Sequence, residues 1–215
     1  MSGTPAPPRV VEAGDPRALR EAVAAIRAGD LVAVPTETVY GIACALEERA
    51  LDRLAEAKGR PEGRAIALLV DSLEQAAALA ELPTAALRLI ERFWPGPLTL
   101  VLPLRDGAAL PAAVVGDDAG ARTAGFRMPD HPLPRLLART LGPLPLTSAN
   151  RSGEPEARDA RAVSAALGEH VGLILDAGAV RGGVASSVVA VRADGSLRIL
   201  REGALTGPRL EEALA

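Results

Sequence analysis

In Leu31-Val32-Ala33-Val34-Pro35-Thr36-Glu37-Thr38-Val39-Tyr40-Gly41, an apolar segment leads directly into a short polar one. Its first four residues are apolar, and the proline that follows cannot donate to a β-ladder, so a buried strand is predicted over Leu31–Val34. In α/β proteins, ligands bind where polar residues follow the carboxyl end of such a strand. The polar residues 36–41 are therefore a candidate binding loop, and the alternative is an ordinary hydroxyl-rich turn.

The composition limits the class of protein. With 215 residues and 48% apolar content, the chain can bury a sizeable core as one domain. A net charge of -3 argues against a generally basic coat for nucleic acid. The single cysteine, Cys44, excludes an internal disulfide framework, and its apolar neighbours favour a buried thiol over a nucleophile. The two histidines and this cysteine lack the spacing of a zinc site.

The domain organisation is predicted to be simple. We expect a flexible lead-in over residues 1–10, one catalytic domain over residues 11–205 and a tail or helix over residues 206–215. No apolar run approaches the roughly 20 residues that cross a membrane, and no signal-peptide pattern opens the chain. A cytoplasmic protein without membrane contact is expected.

Strand-like and helix-like segments alternate along the chain, which predicts an α/β fold with a mixed sheet. The predicted strands cover residues 31–34, 66–70, 98–104, 123–127, 144–146, 173–175, 188–191 and 197–200. The predicted helices run from residue 16 up to Gly29 and over residues 47–57, 72–82, 84–93, 133–141 and 159–167. His131 lies in the cap sequence of one helix and is interpreted as structural.

Lysine occurs once, at position 58, among 24 basic residues. In a chain that otherwise uses arginine, a retained lysine indicates a site that requires a compact ammonium group. The alternatives are chance, or solvated cations at Lys58 and Arg60 that compensate the dipole at a helix end.

The ends of the predicted elements carry cations and small polar side chains. These residues are Thr36, Lys58, Arg60, Arg127, Ser148, Asn150, Ser186 and Arg201. Four cations at one concave site imply a ligand with several negative charges, such as a nucleoside triphosphate. The chain has neither a Walker motif nor G-x-G-x-x-G, so the residues alone predict a nucleotide-using enzyme with an unknown acceptor. For Arg127, an ion pair with a neighbouring acid such as Asp130 is the structural alternative.

Five ordered motifs resemble the YrdC-like family, whose members include threonylcarbamoyl-AMP synthases. The motifs are Pro-Thr-Glu-Thr-Val-Tyr-Gly (35–41), Lys-Gly-Arg-Pro (58–61), Trp-Pro-Gly-Pro-Leu-Thr (94–99), Arg-Met-Pro (127–129) and Ser-Ala-Asn (148–150). The resemblance implies a twisted mixed parallel/antiparallel sheet flanked by helices, with a concave basic groove. It also implies a nucleotidyltransferase that joins L-threonine, bicarbonate and ATP into L-threonylcarbamoyladenylate, with Mg²⁺ carried by ATP and pyrophosphate released.

The resemblance further implies a role in forming N6-threonylcarbamoyladenosine at position 37 of tRNA. Separate proteins would transfer the threonylcarbamoyl group, so direct tRNA contact is expected to be weak. The alternatives are a non-catalytic RNA-binding module, for which 2% aromatic residues leave few stacking platforms, and a paralogue with another carbamoyl or acyl-adenylate substrate.

Residue roles carried over from the resemblance divide into two sets. Thr36, Arg127 and Ser186 would bind L-threonine, whereas Lys58, Arg60, Arg64, Thr123, Ser148, Asn150 and Arg201 would bind ATP. Lys58 and Arg60 would act in catalysis, and no protein metal site is expected. The chain departs from some members at Leu69, where a histidine faces threonine, and at Glu156, where a serine faces the nucleotide.

Overall fold

A computed structural model describes residues 7–59 and 63–214. Within these residues the strands are β1 (Arg9–Glu12), β2 (Leu31–Val34), β3 (Gly41–Ala43), β4 (Ala67–Leu69), β5 (Leu98–Pro103), β6 (Gly116–Asp118), β7 (Ala121–Arg127), β8 (Leu144–Ser148), β9 (Val171–Asp176), β10 (Ser187–Val191) and β11 (Leu197–Arg201). The helices are α1 (Ala18–Arg27), α2 (Glu48–Lys58), α3 (Leu73–Ala77), α4 (Thr84–Phe93), α5 (Pro132–Leu141), α6 (Ala160–Leu167) and α7 (Gly207–Glu212). A 3₁₀ turn covers Ala112–Val114. None of the helices in the described ranges is long and apolar enough to cross a membrane.

All the strands belong to one mixed sheet. Their order is β1-β9-β2-β3-β8-β4-β7-β5-β10-β11, and β6 pairs with β7 beside this path. Some neighbouring strands are parallel, such as β2 and β9, and others are antiparallel, such as β3 and β8. The predicted mixed sheet is therefore confirmed. Because its strands run in both directions, their carboxyl ends lie at both ends of the sheet.

Strand β2 lies inside the sheet, between β9 and β3, and both of its faces are apolar. Leu31 and Ala33 contribute to one hydrophobic cluster, whereas Val32 and Val34 contribute to the other. Helices α2, α4 and α6 pack on the first side, and α1 and α5 pack on the second. Burial on both faces explains why the strand reads as a continuous apolar run, and it confirms the expected flanking helices.

The face covered by α1 and α5 is apolar only over part of the sheet. Leu146 packs against that cluster, and it pairs with Ala67 of β4. Because paired residues point to the same side, Ala67 and its neighbour Gly125 belong to this face. A Cβ atom at Gly125 would lie 3.3 Å from the Ala67 Cβ and 3.5 Å from the Thr99 Cγ2. Small side chains therefore form a floor across β4, β7 and β5, which we call the small-residue floor.

The amino-terminal elements differ from the sequence expectation. Helix α1 begins at Ala18 rather than at residue 16, because Asp15 closes a turn first: its carboxylate accepts from the Arg17 N–H at 2.8 Å and its carbonyl from the Ala18 N–H at 2.9 Å. Strand β1 pairs in parallel with β9 and was not predicted. The lead-in expected over residues 1–10 therefore overlaps this strand at Arg9 and Val10.

The helix predicted over residues 72–82 is wrong beyond Ala77. Helix α3 ends there because the following backbone bonds to the end of β5 instead. The Glu81 N–H donates to the Pro103 carbonyl, and the Arg105 N–H donates to the Leu79 carbonyl, both at 2.9 Å. These pairings outweigh the helix propensity of an alanine- and leucine-rich segment. The structural interpretation of His131 is confirmed, since its Nδ1 accepts from the Leu133 N–H at the start of α5.

Candidate active site

The loop between β2 and β3 is held together by one hydroxyl group. The Thr36 hydroxyl donates to the Val39 carbonyl at 2.6 Å and accepts from the N–H groups of Thr38 and Val39, both at 3.2 Å. It also lies 2.9 Å from the Thr38 hydroxyl, and Thr36 is 2% exposed. Thr36 therefore organises the loop, and its direct contact with L-threonine stays a prediction.

Arg127, the last residue of β7, is buried against this loop. Its Nη2 donates to Glu37 Oε1 at 2.7 Å and to the Thr38 hydroxyl at 2.9 Å, and its Nε donates to the Gly96 carbonyl at 3.3 Å. The alternative of an ion pair with a neighbouring acid is therefore found, but the acid is Glu37 of the binding loop and not Asp130. Three neighbours fix the guanidinium plane, and Nη1 makes no hydrogen bond within the described residues.

Lys58 is not the solvated cation that the structural alternative required. The residue is 3% exposed, and its Nζ donates to the carbonyls of Ser148 and Asn150 at 2.5 and 2.6 Å. The Asn150 side-chain oxygen lies 3.3 Å from the same nitrogen. Lys58 therefore ties the end of α2 to the end of β8, and its predicted contact with phosphate stays a prediction.

The Ser-Ala-Asn turn after β8 is ordered by further side-chain bonds. The Ser148 hydroxyl donates to Asn150 Oδ1 at 2.6 Å, and Asn150 Nδ2 donates to the Glu154 carbonyl at 2.6 Å. Because Oδ1 accepts and Nδ2 donates, the orientation of the buried amide is fixed. These bonds fix the positions of the turn's polar groups, which suits a site that works by positioning.

Ser186 and Arg201 form a second polar group beside β10. Arg201 donates through Nη2 to the Ser186 carbonyl at 2.7 Å, and the Ser186 hydroxyl lies 2.9 Å from that of Thr99. Partial burial lowers the pKa of the Arg201 guanidinium; Glu156 raises it, and the positive charges of Arg127 and Arg64 lower it further. Ser186 and Arg201 therefore lie within electrostatic reach of Arg127.

The remaining predicted residues are Thr123, Arg64 and Arg60. Thr123 is 4% exposed and lies on the same face of β7 as Arg127, about 13 Å away along the strand at roughly 3.3 Å per residue. Arg64 is exposed. Arg60 lies outside the described residues. An extended ligand, rather than a compact one, matches a site of this length.

A glycine-containing segment between β9 and β10 packs against the binding loop. The Gly183 N–H donates to the Thr38 carbonyl at 2.7 Å, and a Cβ atom at Gly182 would lie 2.5 Å from the Glu37 carbonyl oxygen. Farther back in the segment, the Tyr40 hydroxyl donates to the Gly178 carbonyl at 2.9 Å. The sequence analysis did not predict that this segment packs on the binding loop, although its Gly-Gly pair is a signal for close backbone approach.

Glu37 and Thr38 were quoted in the motif without a role, yet they contact Arg127 directly. A carboxylate between two threonines in a binding loop could have been paired with an arginine at a strand end. The sequence does not say which arginine, because about 90 residues separate the partners.

The site offers two kinds of anion recognition. Arg127, held in one orientation, suits a planar carboxylate, whereas Arg201 and Arg64 add positive charge where a phosphate chain could lie. The arrangement can bind and align two anionic groups without a covalent intermediate.

Comparison with known proteins places the chain among relatives of one kind. The family model described as "Sua5_yciO_yrdC: Telomere recombination" matches residues 24–203. A threonylcarbamoyl-AMP synthase of Pyrococcus abyssi is 42% identical over 174 residues, which cover 80% of this chain and 50% of that protein. A putative threonylcarbamoyl-AMP synthase of Mycobacterium tuberculosis is 38% identical over 200 residues, which cover 92% of this chain and 89% of the relative.

Solved structures agree with the sequence comparison. The crystal structure of P. abyssi Sua5 complexed with L-threonine aligns with a TM-score of 0.83 and 39% identity, covering 92% of this chain and 57% of that one. The chain thus spans about half the length of the P. abyssi protein and most of the length of the mycobacterial one. The resemblance read from five motifs is confirmed over nearly the whole sequence, and the chain belongs to the Sua5/YciO/YrdC family.

Proposed function

We propose that this chain is a nucleotidyltransferase that forms L-threonylcarbamoyladenylate from L-threonine, bicarbonate and ATP, with release of pyrophosphate and water. The observation that carries the proposal is the 38% identity to the mycobacterial protein, a putative threonylcarbamoyl-AMP synthase, because the match covers 92% of this chain and 89% of the relative. Buried, oriented Arg127 and the cations around Arg201 supply the two anion sites that the reaction needs.

Each substrate has a proposed location. The carboxylate of L-threonine binds near Arg127, with Thr36 and Ser186 close by. ATP lies along the floor toward Thr123, and its phosphates face Arg64, Arg201 and the Ser-Ala-Asn turn ordered by Lys58. Mg²⁺ enters with the triphosphate. Within the described residues, no group of three or more His, Cys, Asp or Glu side chains is arranged to hold a metal ion.

The proposed reaction makes two bonds. The amino nitrogen of threonine bonds to the carbon of bicarbonate, and water leaves. An oxygen of the resulting carbamate then bonds to the α-phosphorus of ATP, and the bond to pyrophosphate breaks. Both the nucleophile and the leaving group are negatively charged, so Arg127 and Arg201 would contribute by neutralising charge and aligning the reacting groups.

The product is proposed to serve modification of adenosine 37 in tRNA, with separate proteins carrying out the transfer in the cytoplasm. This chain would then need little contact with tRNA.

The test is pyrophosphate release from the purified chain with MgATP, bicarbonate and each amino acid in turn. We expect release that requires bicarbonate and is fastest with L-threonine, and the product should carry the mass of threonylcarbamoyladenylate. Faster pyrophosphate release with another amino acid would identify that amino acid, rather than L-threonine, as the substrate. Salt-sensitive RNA binding without any turnover would instead favour a non-catalytic module.

A further inference from the structure

The carboxylate of Glu37 is only half paired. Its Oε1 accepts from Arg127 Nη2 at 2.7 Å, but its Oε2 is buried and has no hydrogen-bond partner within the described residues. The glutamate side chain is 21% exposed and that of the arginine 10%. A buried carboxylate oxygen without a donor costs free energy, so this ion pair is a poorly satisfied arrangement of the site.

The same ion pair limits what Arg127 can offer to a ligand. Both N–H groups of Nη2 are engaged, one by Glu37 and one by Thr38, and Nε donates to the Gly96 carbonyl. Two parallel N–H bonds to an incoming carboxylate require Nη2 together with Nη1 or Nε. Arg127 can therefore form a bidentate pair only when a neighbour releases Nη2.

Glu37 is the neighbour whose release is easiest to compensate. Thr38 is held by the Thr36 hydroxyl and by Gly183, whereas no described donor other than Arg127 bonds to the Glu37 side chain. The nearby His131 does not provide the missing charge, because burial lowers its pKa although Glu37 and Asp130 raise it. Once released, Glu37 would be a partly buried anion in need of a cation.

We propose that Glu37 is an internal counter-ion that gives up Arg127 to the carboxylate of an incoming α-amino acid and takes that amino acid's α-ammonium group in exchange. The inference rests on the proposed function and deepens it, because it identifies what selects a zwitterion at the amino-acid site. The exchange keeps the charges balanced, because one buried ion pair opens, two form, and one ligand brings both new charges. Oε2 also gains the donor that it lacks.

The exchange predicts a particular pattern of selectivity. The 2-hydroxy analogue of L-threonine, 2,3-dihydroxybutanoate of matching configuration, carries the carboxylate but no ammonium. It must displace Glu37 from Arg127 without offering a cation in return, so it should bind the native protein far more weakly than L-threonine does. In Glu37→Gln, a neutral amide holds Arg127 less firmly and attracts no ammonium.

The experiment is calorimetric titration of both ligands into the native protein, Glu37→Gln and a control variant at pH 7, with MgATP present. We expect Glu37→Gln to weaken L-threonine binding at least tenfold and to strengthen binding of the hydroxy analogue, so the two affinities move in opposite directions. Glu156→Gln, which removes a carboxylate whose charge acts on Arg201, should leave the preference between the two ligands unchanged. Melting curves check that each variant is folded.

Other outcomes would overturn the exchange. Equal weakening of both ligands would mean that Glu37 only positions Arg127, and unchanged or tighter threonine binding would mean that Glu37 takes no ammonium. If the native protein binds another amino acid instead, the proposed substrate fails, and the comparison is repeated with that amino acid and its hydroxy analogue. Absence of binding by every amino acid would overturn both proposals.

Discussion

Replacing Lys58 by alanine should destabilise the protein strongly, although an isolated lysine at a helix end would matter little. In the structure its Nζ donates to the carbonyls of Ser148 and Asn150 at 2.5 and 2.6 Å, and the residue is 3% exposed. A hydrogen bond to a charged group contributes about 1.5–3 kcal/mol, and burial of the ammonium offsets part of that gain. We therefore expect a loss of about 2–4 kcal/mol in the free energy of unfolding.

The measurement is urea unfolding together with a thermal scan. For a chain of this size, the expected loss corresponds to a fall of about 4–16 °C in Tm. Lys58→Met keeps the apolar stem but not the donors, so it should lose nearly as much. As a surface control, Arg151→Ala removes an exposed ion pair with Glu169 and should change stability by less than about 0.5 kcal/mol. A Lys58→Ala protein within about 0.5 kcal/mol of the native one would refute the inference that these bonds stabilise the fold.

Three further predictions concern other parts of the molecule. Arg127→Lys should raise the KM for threonine much more than that for ATP, because an ammonium cannot offer two parallel N–H bonds; a selective rise for ATP in steady-state kinetics would move Arg127 to the phosphate side. Burial raises the pKa of the Cys44 thiol to about 12, so Cys44 should resist a disulfide reagent at pH 8 until the protein is unfolded, and rapid reaction of the native protein would contradict this. Burial alone would raise the pKa of Asp71, but hydrogen bonds and charge from Arg139 and Arg135 outweigh it and lower the pKa. Asp71→Asn should therefore lower the free energy of unfolding by about 1–3 kcal/mol at pH 7. The difference in unfolding free energy from the native protein should shrink as pH falls below about 4, through the lowered pKa of the folded state. A constant difference down to pH 2 would argue against this linkage.

Much of the fold was predictable where local and tertiary preferences agree. Strand β2 is found at its predicted bounds because four apolar residues, buried on both faces, are followed by proline. Strand β3 was missed because Gly41–Ala43 is short and has no alternating pattern, and it forms by pairing with β2 and β8. Strand β1 is mostly exposed at the edge of the sheet, so it carries little hydrophobic signal. In both cases pairing with distant strands sets the structure.

The site was predictable by residue type more than by contact. The end of β7 delivers Arg127 as its motif indicated, but the partner, Glu37, could be identified only once the loop between β2 and β3 had been positioned. Lys58 lies at a helix end, a position typical of a solvated cation, so the sequence could not exclude that alternative. Only the approach of β8 reveals that it is buried.

The contact between Gly183 and Thr38 also determines when the site can exist during synthesis. About 145 residues separate the two positions, so a ribosome that adds roughly 5–20 residues per second completes the binding loop many seconds before the segment that packs on it. Throughout that interval Glu37 and Thr38 lack the backbone segment around Gly183 that packs against them. The binding loop therefore gains this backbone contact only when the segment that leads into β10 has been synthesised, late in the chain.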